Sequence, residues 1–281
     1  MRWELLALAL LLVVLALGGI AWGRRARLRE RVPARRAPRL RHPVILAHGM
    51  LGFDEIAVAG RRHQYFRKIT DALGGLETKF HTPRVPAAAP IAVRAEQLRA
   101  LVHEIPSDRV NVIAHSMGGL DARYAISRLG LGNRVASLVT IGTPHQGTPV
   151  ADLGAGFVPA AVSRALAKVC DVRALHDLTT DSLERFNREV PDAPGVAYCS
   201  VVGRSALSHT NPLLWPSHAY QSARSGENDG LVPSASQGWG KVIREVEADH
   251  WAQIGWSLSF DAVGLYEDIL ARLLAASAKS G

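Results

Sequence analysis

The stretch that decides the fold is Val110-Asn111-Val112-Ile113-Ala114-His115-Ser116-Met117-Gly118-Gly119-Leu120. Its first five residues are almost all apolar, which predicts a buried strand. Two glycines follow Ser116, and helix-forming residues follow the glycines. A strand, a sharp turn that carries a serine, and a helix are together typical of a nucleophile elbow. Ala114 stands where the G-x-S-x-G pattern has its first glycine, and alanine is the smallest replacement.

A serine hydroxyl is a weak nucleophile at neutral pH, so the elbow requires a base and an acid elsewhere in the chain. In this fold class the acid follows the serine and the histidine comes last. Asp229 lies in a turn-forming cluster, residues 227–233, and His250 lies just past a predicted strand, residues 241–246. We therefore predict a triad of Ser116, Asp229 and His250.

Other residues compete for these roles. Asp229 could simply cap its own turn, as aspartates in turns commonly do. Asp249 is a rival acid, but it adjoins His250 in sequence, and neighbours rarely face each other well. His209 and His218 are rival bases, although both precede Asp229 and so break the expected chain order.

An acyl-transfer site also needs two N–H donors for the oxyanion. One is the backbone N–H that follows the nucleophile, here that of Met117. The other comes from the loop after an early strand, and residues 43–47 predict such a strand before the glycine-rich loop 48–54. Met50 is the candidate for the second donor, although this loop, taken alone, is better interpreted as a simple glycine-rich strand exit.

The motifs in their order resemble those of the bacterial true lipases, the triacylglycerol lipases of the α/β-hydrolase superfamily. The similar segments cover residues 47–54, 114–119, 141–147 and 228–232, with a weaker match at 183–187. The likeness runs from residue 42 to residue 275. It implies an ester hydrolase with Ser116, Asp229 and His250 in the triad and Met50 and Met117 at the oxyanion hole.

The chain departs from that family at two sites. Many members bind a structural calcium through an aspartate two positions after the histidine, and here that position is Ala252. Hard cations need several oxygen ligands, so the loss of this carboxylate predicts no calcium. The sequence also has no zinc-type spacing, and we predict no metal and no cofactor. Many members also carry a disulfide shortly after the catalytic acid, where this chain has Ser234 and Ser236. Whether Cys170 and Cys199 pair stays open.

The net charge of +8 belongs to one short segment. Residues 24–41 hold nine arginines and one glutamate, whereas residues 42–281 hold equal numbers of basic and acidic side chains. We interpret 24–41 as a basic linker and 42–281 as a neutral catalytic domain, which argues against nucleic-acid binding.

Residues 1–23 form the third unit, a membrane anchor or a cleaved signal segment. The run from Leu5 to Gly23 carries no charge and is about as long as a bilayer crossing requires, with Trp3 and Trp22 at its ends. The run is long for a signal peptide, which favours a single-pass anchor. Arginines beside an anchor favour a cytoplasmic catalytic domain, whereas the resemblance favours an exported one.

Strands alternate with helical stretches, which predicts an α/β fold with a mainly parallel sheet and helices on both faces. Residues 61–73 are predicted to form the first helix, and residues 91–104 another. Residues 150–182 form a predicted helical cap or lid. Four residues are candidates for contact with an acyl chain: Leu51, Leu213, Leu214 and Trp215.

The predicted reaction is hydrolysis of carboxylic esters, lipid-like ones above all, through an acyl-enzyme. Short-chain esterase activity is a close variant. Two alternatives are acyl transfer to an acceptor other than water, by the same triad, and a non-catalytic membrane-tethered interaction module on a hydrolase scaffold.

Overall fold

The structure is a computed structural model that describes residues 40–50, 55–58, 61–73, 78–157, 172–257 and 259–279. Several sequence predictions lie outside these ranges. They are the membrane segment 1–23, residues 24–39 of the basic linker, Leu51, Cys170, and residues 158–171 of the cap. Among the helices that the structure describes, none combines the length and the apolar character needed to cross a bilayer.

A sheet of six parallel strands forms the centre of the domain. The strands are β1 (Val44–Ala47), β4 (Phe80–His81), β5 (Val110–His115), β6 (Val135–Ile141), β7 (Ala197–Arg204) and β8 (Lys241–Glu247), and β2 (Glu55–Val58) and β3 (Arg61–Gln64) pair separately as an antiparallel hairpin. The spatial order is β4-β1-β5-β6-β7-β8. Every neighbouring pair in this sheet is parallel, as the alternation of strands and helices predicts.

Helices connect the strands. They are α1 (Ile69–Leu73), α2 (Ile91–Glu104), α3 (Met117–Arg128), α4 (Pro149–Phe157), α5 (Val172–His176), α6 (Thr180–Glu189), α7 (Trp215–Ser225), α8 (Ser234–Gln237) and α9 (Ala262–Lys279). The described parts of the predicted cap, 150–157 and 172–182, are largely helical. Ala151, Ala174 and Leu178 of this region share a buried cluster with Met117 and Leu120, so the cap packs on the start of α3.

The two faces of the sheet are both covered, because side chains alternate along a strand. Val44 and Leu46 of β1 belong to the cluster that contains Tyr266 of α9. Ile45 and Ala47 point to the opposite face and belong to the cluster that contains α2 and α3. A strand buried on both faces reads as a continuous apolar run, which is why β5 could be recognised in the sequence.

The predicted helix over 91–104 is confirmed, but the prediction of a helix over 61–73 is wrong in its first half. Residues 61–64 form β3, and only Ile69–Leu73 is helical. The run 61–64 is polar and has no apolar alternation of its own. Its strand conformation comes from pairing with 55–58, in the register Glu55 to Gln64 through Val58 to Arg61.

Candidate active site

Ser116 lies at the sharp turn between β5 and α3 with a strained backbone, φ +56° and ψ −134°. A positive φ is uncommon for a residue with a side chain and is often found at functional sites. Two contacts hold the turn in place. The Ser116 N–H donates to the Ile141 carbonyl oxygen at 2.9 Å, and the Thr143 hydroxyl donates to the Ser116 carbonyl oxygen at 2.8 Å.

The two glycines after the serine are required by close packing. A methyl group placed on Gly118 would lie 2.7 Å from the His48 carbonyl oxygen and 2.8 Å from that of Ala47. A methyl group on Gly119 would lie 2.3 Å from the Thr143 hydroxyl oxygen. The helix therefore starts directly against the end of β1.

Asp229 and His250 form a buried pair, in which His250 Nδ1 lies 2.8 Å from Asp229 Oδ2. The other carboxylate oxygen of Asp229 accepts the N–H groups of Leu231 at 3.0 Å and Val232 at 2.8 Å. The His250 N–H donates to the Asp229 carbonyl oxygen at 2.8 Å, which ties the two loops together. The carboxylate is thus held by its own turn and directed at the imidazole.

Gly142 connects this pair to the elbow. It follows Ile141, which accepts the Ser116 N–H, and has φ +58°. A methyl group on Gly142 would lie 3.2 Å from Asp229 Oδ2 and 3.3 Å from His250 Nδ1. The ring of His115, the residue before the serine, is centred 4.5 Å from the His250 ring. Residues far apart in sequence therefore meet at the carboxyl end of the sheet.

The carboxylate of the rival acid, Asp249, accepts hydrogen bonds from backbone N–H groups. Its Oδ1 accepts the N–H groups of Trp251 at 2.9 Å and Ala252 at 2.8 Å, and its Oδ2 accepts the Asn211 N–H at 2.8 Å. Burial raises the pKa of Asp249, and these N–H donors oppose that rise. Asp249 shapes the loop that carries His250.

The rival base His218 has its Nε2 2.7 Å from the Ser205 carbonyl oxygen and its Nδ1 3.4 Å from the Ser222 hydroxyl, away from Asp229. His209 ends an exposed short 3-10 helix, Leu207–His209. The His218 ring is therefore held by Ser205 and Ser222, and His209 lies on an exposed segment.

Arg94 holds the loop that contains Met50. The side chain is fully buried, and its Nη2 donates to the His48 carbonyl oxygen at 2.7 Å and the Gly49 carbonyl oxygen at 3.2 Å. The carbonyl and the N–H of a trans peptide point in opposite directions, so the Met50 N–H is directed away from Arg94 and out of the core. Gly49 itself lies against the serine, since a methyl group there would lie 2.6 Å from Ser116 Cβ.

Asp121 of α3 completes this support. Its Oδ2 accepts from Arg94 Nε at 2.8 Å, in an ion pair that is buried on both sides. Burial raises the pKa of Asp121 to about 7, against the pull of the guanidinium. Breaking a buried pair leaves an uncompensated charge, which costs about 3–5 kcal/mol.

Tyr65 contacts the same loop from another side. Its hydroxyl accepts the Gly49 N–H at 3.1 Å and lies 2.7 Å from His115 Nδ1. Burial lowers the pKa of His115 well below its usual range and raises that of Tyr65 above its own. The His115 ring is therefore neutral, and its bond with Tyr65 links the loop that contains Met50 to the residue before the serine.

The candidate acyl-contact residues have different environments. Leu214 is fully buried and packs against Gly230, next to Asp229, while Leu213 is half-buried. Trp215 is 47% exposed, and its ring N–H donates to the Thr210 carbonyl oxygen at 3.0 Å. Leu51 lies outside the described residues.

The two candidate oxyanion donors also differ in burial. Met50 is half-buried, whereas Met117 is fully buried at the first position of α3, where N–H groups have no partner within the helix.

Sequence reasoning missed four residues that support this candidate site: Tyr65, Arg94, Asp121 and Gln253, whose side-chain amide donates to Asp229 Oδ2 at 3.1 Å. None stands in a recognised motif. Arg94 occupies a polar position in an amphipathic pattern, which is typical of a surface residue. Only the fold shows that its side chain faces carbonyl oxygens.

No three His, Cys, Asp or Glu side chains come together as a metal-binding group within the described ranges.

Comparison with known proteins defines the class. The family profile described as alpha/beta hydrolase fold matches residues 42–191, more than half of the chain. The chain therefore belongs to the α/β-hydrolase fold family. Within that family it is a carboxylic-ester hydrolase of the lipase type, and the resemblance to bacterial lipases inferred from the motifs is confirmed.

Several similar proteins are named as lipases. A triacylglycerol lipase from Pseudomonas fragi is 29% identical, over 75% of this chain and 86% of that protein. One from Vibrio cholerae is 29% identical, over 83% of this chain and 88% of that protein. The crystal structure of Staphylococcus hyicus lipase aligns with a TM-score of 0.70 at 17% identity, over 89% of this chain and all of that one, and shows the shared fold.

Proposed function

We propose that the protein hydrolyses carboxylic esters with long acyl chains, using Ser116 as nucleophile, His250 as base and Asp229 as the acid that orients His250. The observation that carries the proposal is the buried Asp229–His250 pair at 2.8 Å, packed through Gly142 against the strained serine turn. The carboxylate fixes the imidazole with its proton on Nδ1, which leaves Nε2 to accept the serine proton.

In the proposed reaction, His250 removes the Ser116 hydroxyl proton while the oxygen attacks the ester carbonyl. The N–H groups of Met50 and Met117 donate to the oxyanion of the tetrahedral intermediate. The imidazolium then protonates the leaving alcohol, and an acyl-serine ester remains. A water molecule, deprotonated by His250, attacks this ester and releases the acid and the free serine.

The chain-length preference rests on the apolar surroundings of the site. The relatives named above are triacylglycerol lipases. Leu214 packs against Gly230, next to Asp229, and Leu213 and Trp215 flank it in sequence. Leu51 adjoins Met50 in sequence. We infer that these residues contact the acyl chain and that the cap covers it.

The test compares p-nitrophenyl acetate, butyrate, octanoate and palmitate under matched conditions. We expect kcat/KM for octanoate to exceed that for acetate by about tenfold or more, because each buried methylene contributes about 0.8 kcal/mol. Activity confined to acetate and butyrate would contradict the long-chain proposal. An intact folded sample that cleaves none of the four esters would contradict ester hydrolysis itself.

We also propose that residues 5–23 tether the domain to a membrane and that the arginines of 24–41 lie against anionic headgroups. Such arginines contribute about 1 kcal/mol each near the surface. The positive charge beside the anchor then holds the domain on the cytoplasmic side.

Extraction of membranes with alkaline carbonate tests the tether. We expect the full chain to stay in the membrane pellet, with an intact N-terminus by mass spectrometry and with protection from protease added to intact spheroplasts. A variant that lacks residues 1–23 is the control and should be released by carbonate. A wild-type chain cleaved after the apolar run and released into solution would refute the tether.

A further inference from the structure

Gln253 lies directly behind the Asp229–His250 pair. It belongs to the short 3-10 helix Ala252–Ile254, which follows His250, and its side chain is fully buried. Its Nε2 donates to Asp229 Oδ2 at 3.1 Å, and this is the same oxygen that faces His250 Nδ1. The amide therefore donates to the same carboxylate oxygen that faces the imidazole of His250.

The orientation of this amide is determined by its surroundings. Its NH₂ group lies between two acceptors, Asp229 Oδ2 and the Ala248 carbonyl oxygen, the latter at 3.4 Å. A flipped amide would place its oxygen against both of these oxygens, which is repulsive. Gln253 is thus a donor to the carboxylate.

Two glycines on neighbouring strands make the space that this side chain fills. A methyl group on Gly142, just after β6, would lie 2.4 Å from Gln253 Oε1. A methyl group on Gly203, in β7, would lie 2.0 Å from Gln253 Nε2. The amide lies between the backbones of Gly142 and Gly203, which restrict its rotation away from Asp229.

We propose that Gln253 is a positioning residue that holds the Asp229 carboxylate in the orientation required by His250. The proposal rests on the triad proposed above. Oδ1 of Asp229 is already fixed by the N–H groups of Leu231 and Val232, and the Gln253 amide fixes Oδ2. All donors to the carboxylate are then protein groups at defined positions.

The amide also shares the negative charge of the carboxylate. When this donor is lost, the charge on Oδ2 is stabilised less well, and protonation of the facing imidazole becomes more favourable. Among the described residues, the His115 ring, bonded to Tyr65, and the Asp249 carboxylate also lie close. The Gln253 amide donates to Asp229 and Ala248 and to neither of these groups. A change at 253 therefore alters the pH profile through Asp229.

The experiment is the pH dependence of kcat/KM for a p-nitrophenyl ester with the full-length Gln253→Met variant. Methionine keeps the length of the side chain and removes the donor. We expect kcat to fall about tenfold, because a hydrogen bond to a charged group is lost. We expect KM to be unchanged, because Gln253 is buried away from the substrate. The acid limb should move to higher pH by about half a unit.

Gln221→Met is the matched control. Gln221 is another fully buried glutamine, but its amide donates to the Thr148 hydroxyl at 2.7 Å and to the Leu231 carbonyl oxygen at 2.6 Å, with no carboxylate contact. We expect it to lower Tm and leave the acid limb in place. If Gln253→Met does not fold, Gln253→Asn gives the same readout, since its amide is one methylene too short to reach Asp229.

The outcomes separate this inference from the proposed triad. Ser116→Ala and Asp229→Asn are measured in the same assay, and activity retained in both would refute the triad. If both are inactive while the Gln253 variant keeps the wild-type kcat and acid limb, the triad stands and the positioning role of Gln253 is refuted. A shifted acid limb in Gln253→Met with an unshifted one in Gln221→Met supports the role.

Discussion

Replacing Ser116 with alanine is expected to lower kcat about a million-fold, because the hydroxyl proposed to form the acyl-enzyme is gone. The His250→Ala variant should lose activity to a similar extent, and the double variant should lose little more. Residues that act as one unit show such non-additive losses. The three variants, assayed on one ester, therefore measure whether serine and histidine act together.

Labelling with a fluorophosphonate gives a direct readout of the same unit. We expect one adduct on Ser116, mapped by mass spectrometry, and none in His250→Ala. Ser137→Ala is the control, since Ser137 is a buried serine of the neighbouring strand β6 whose hydroxyl donates to Asn111 Oδ1 at 2.8 Å. It should label normally at Ser116. An adduct on another serine, or full activity in Ser116→Ala, would refute the assignment.

Asp229→Asn is expected to lower kcat about ten-thousand-fold while the protein stays folded. The Leu231 and Val232 N–H groups both donate to Oδ1, so the asparagine oxygen must take that place and its NH₂ must replace Oδ2. That NH₂ then faces His250 Nδ1, and the imidazole keeps its proton on Nε2 instead. In this tautomer His250 cannot accept the serine proton.

Gln253 makes the substitution more unfavourable still. With NH₂ at the Oδ2 position, the Gln253 amide faces it donor to donor, and a flip of Gln253 would put its oxygen against that of Ala248. We expect thermal unfolding to show a modest loss of Tm, and the kcat measurement to show the large effect.

Asp249→Asn is the matched control for the Asp229 change. It removes the charge of the buried carboxylate next to His250 in sequence, which accepts hydrogen bonds from the backbone N–H groups of Asn211, Trp251 and Ala252. We expect kcat within about tenfold of wild type. We expect a lower Tm, because the asparagine NH₂ replaces Oδ2 and the hydrogen bond from the Asn211 N–H is lost. If Asp249→Asn were inactive and Asp229→Asn active, Asp249 would be the acid that orients His250, and the assignment of Asp229 would be refuted.

The parts of the site that the sequence could predict are those that depend on local pattern or on chain order. β5 and the turn at Ser116 form one continuous stretch, and Asp229 and His250 follow in the order typical of the fold. The supporting contacts could not be predicted in this way. Tyr65 and His115 are 50 residues apart, and Arg94 and His48 are 46 apart, so nothing in their local sequence links them.

The paired strands 55–58 and 61–64 show the same limit at the level of secondary structure. Arg61–Gln64 is polar and reads as the start of a helix, yet it is a strand because Glu55–Val58 supplies the partner. Pairing partners decide strand formation in such a segment more than its own residues do. The true helix begins at Ile69, where apolar side chains pack into the core.

Arg94 donates hydrogen bonds to the carbonyl oxygens of His48 and Gly49. The direction of the Met50 N–H is therefore independent of the size of the side chain at position 50. The proposed oxyanion donor there is a main-chain amide set from within the core. We therefore expect exchange of Met50 for a larger or smaller residue to change which acyl chains the proposed site accepts without weakening the donor itself.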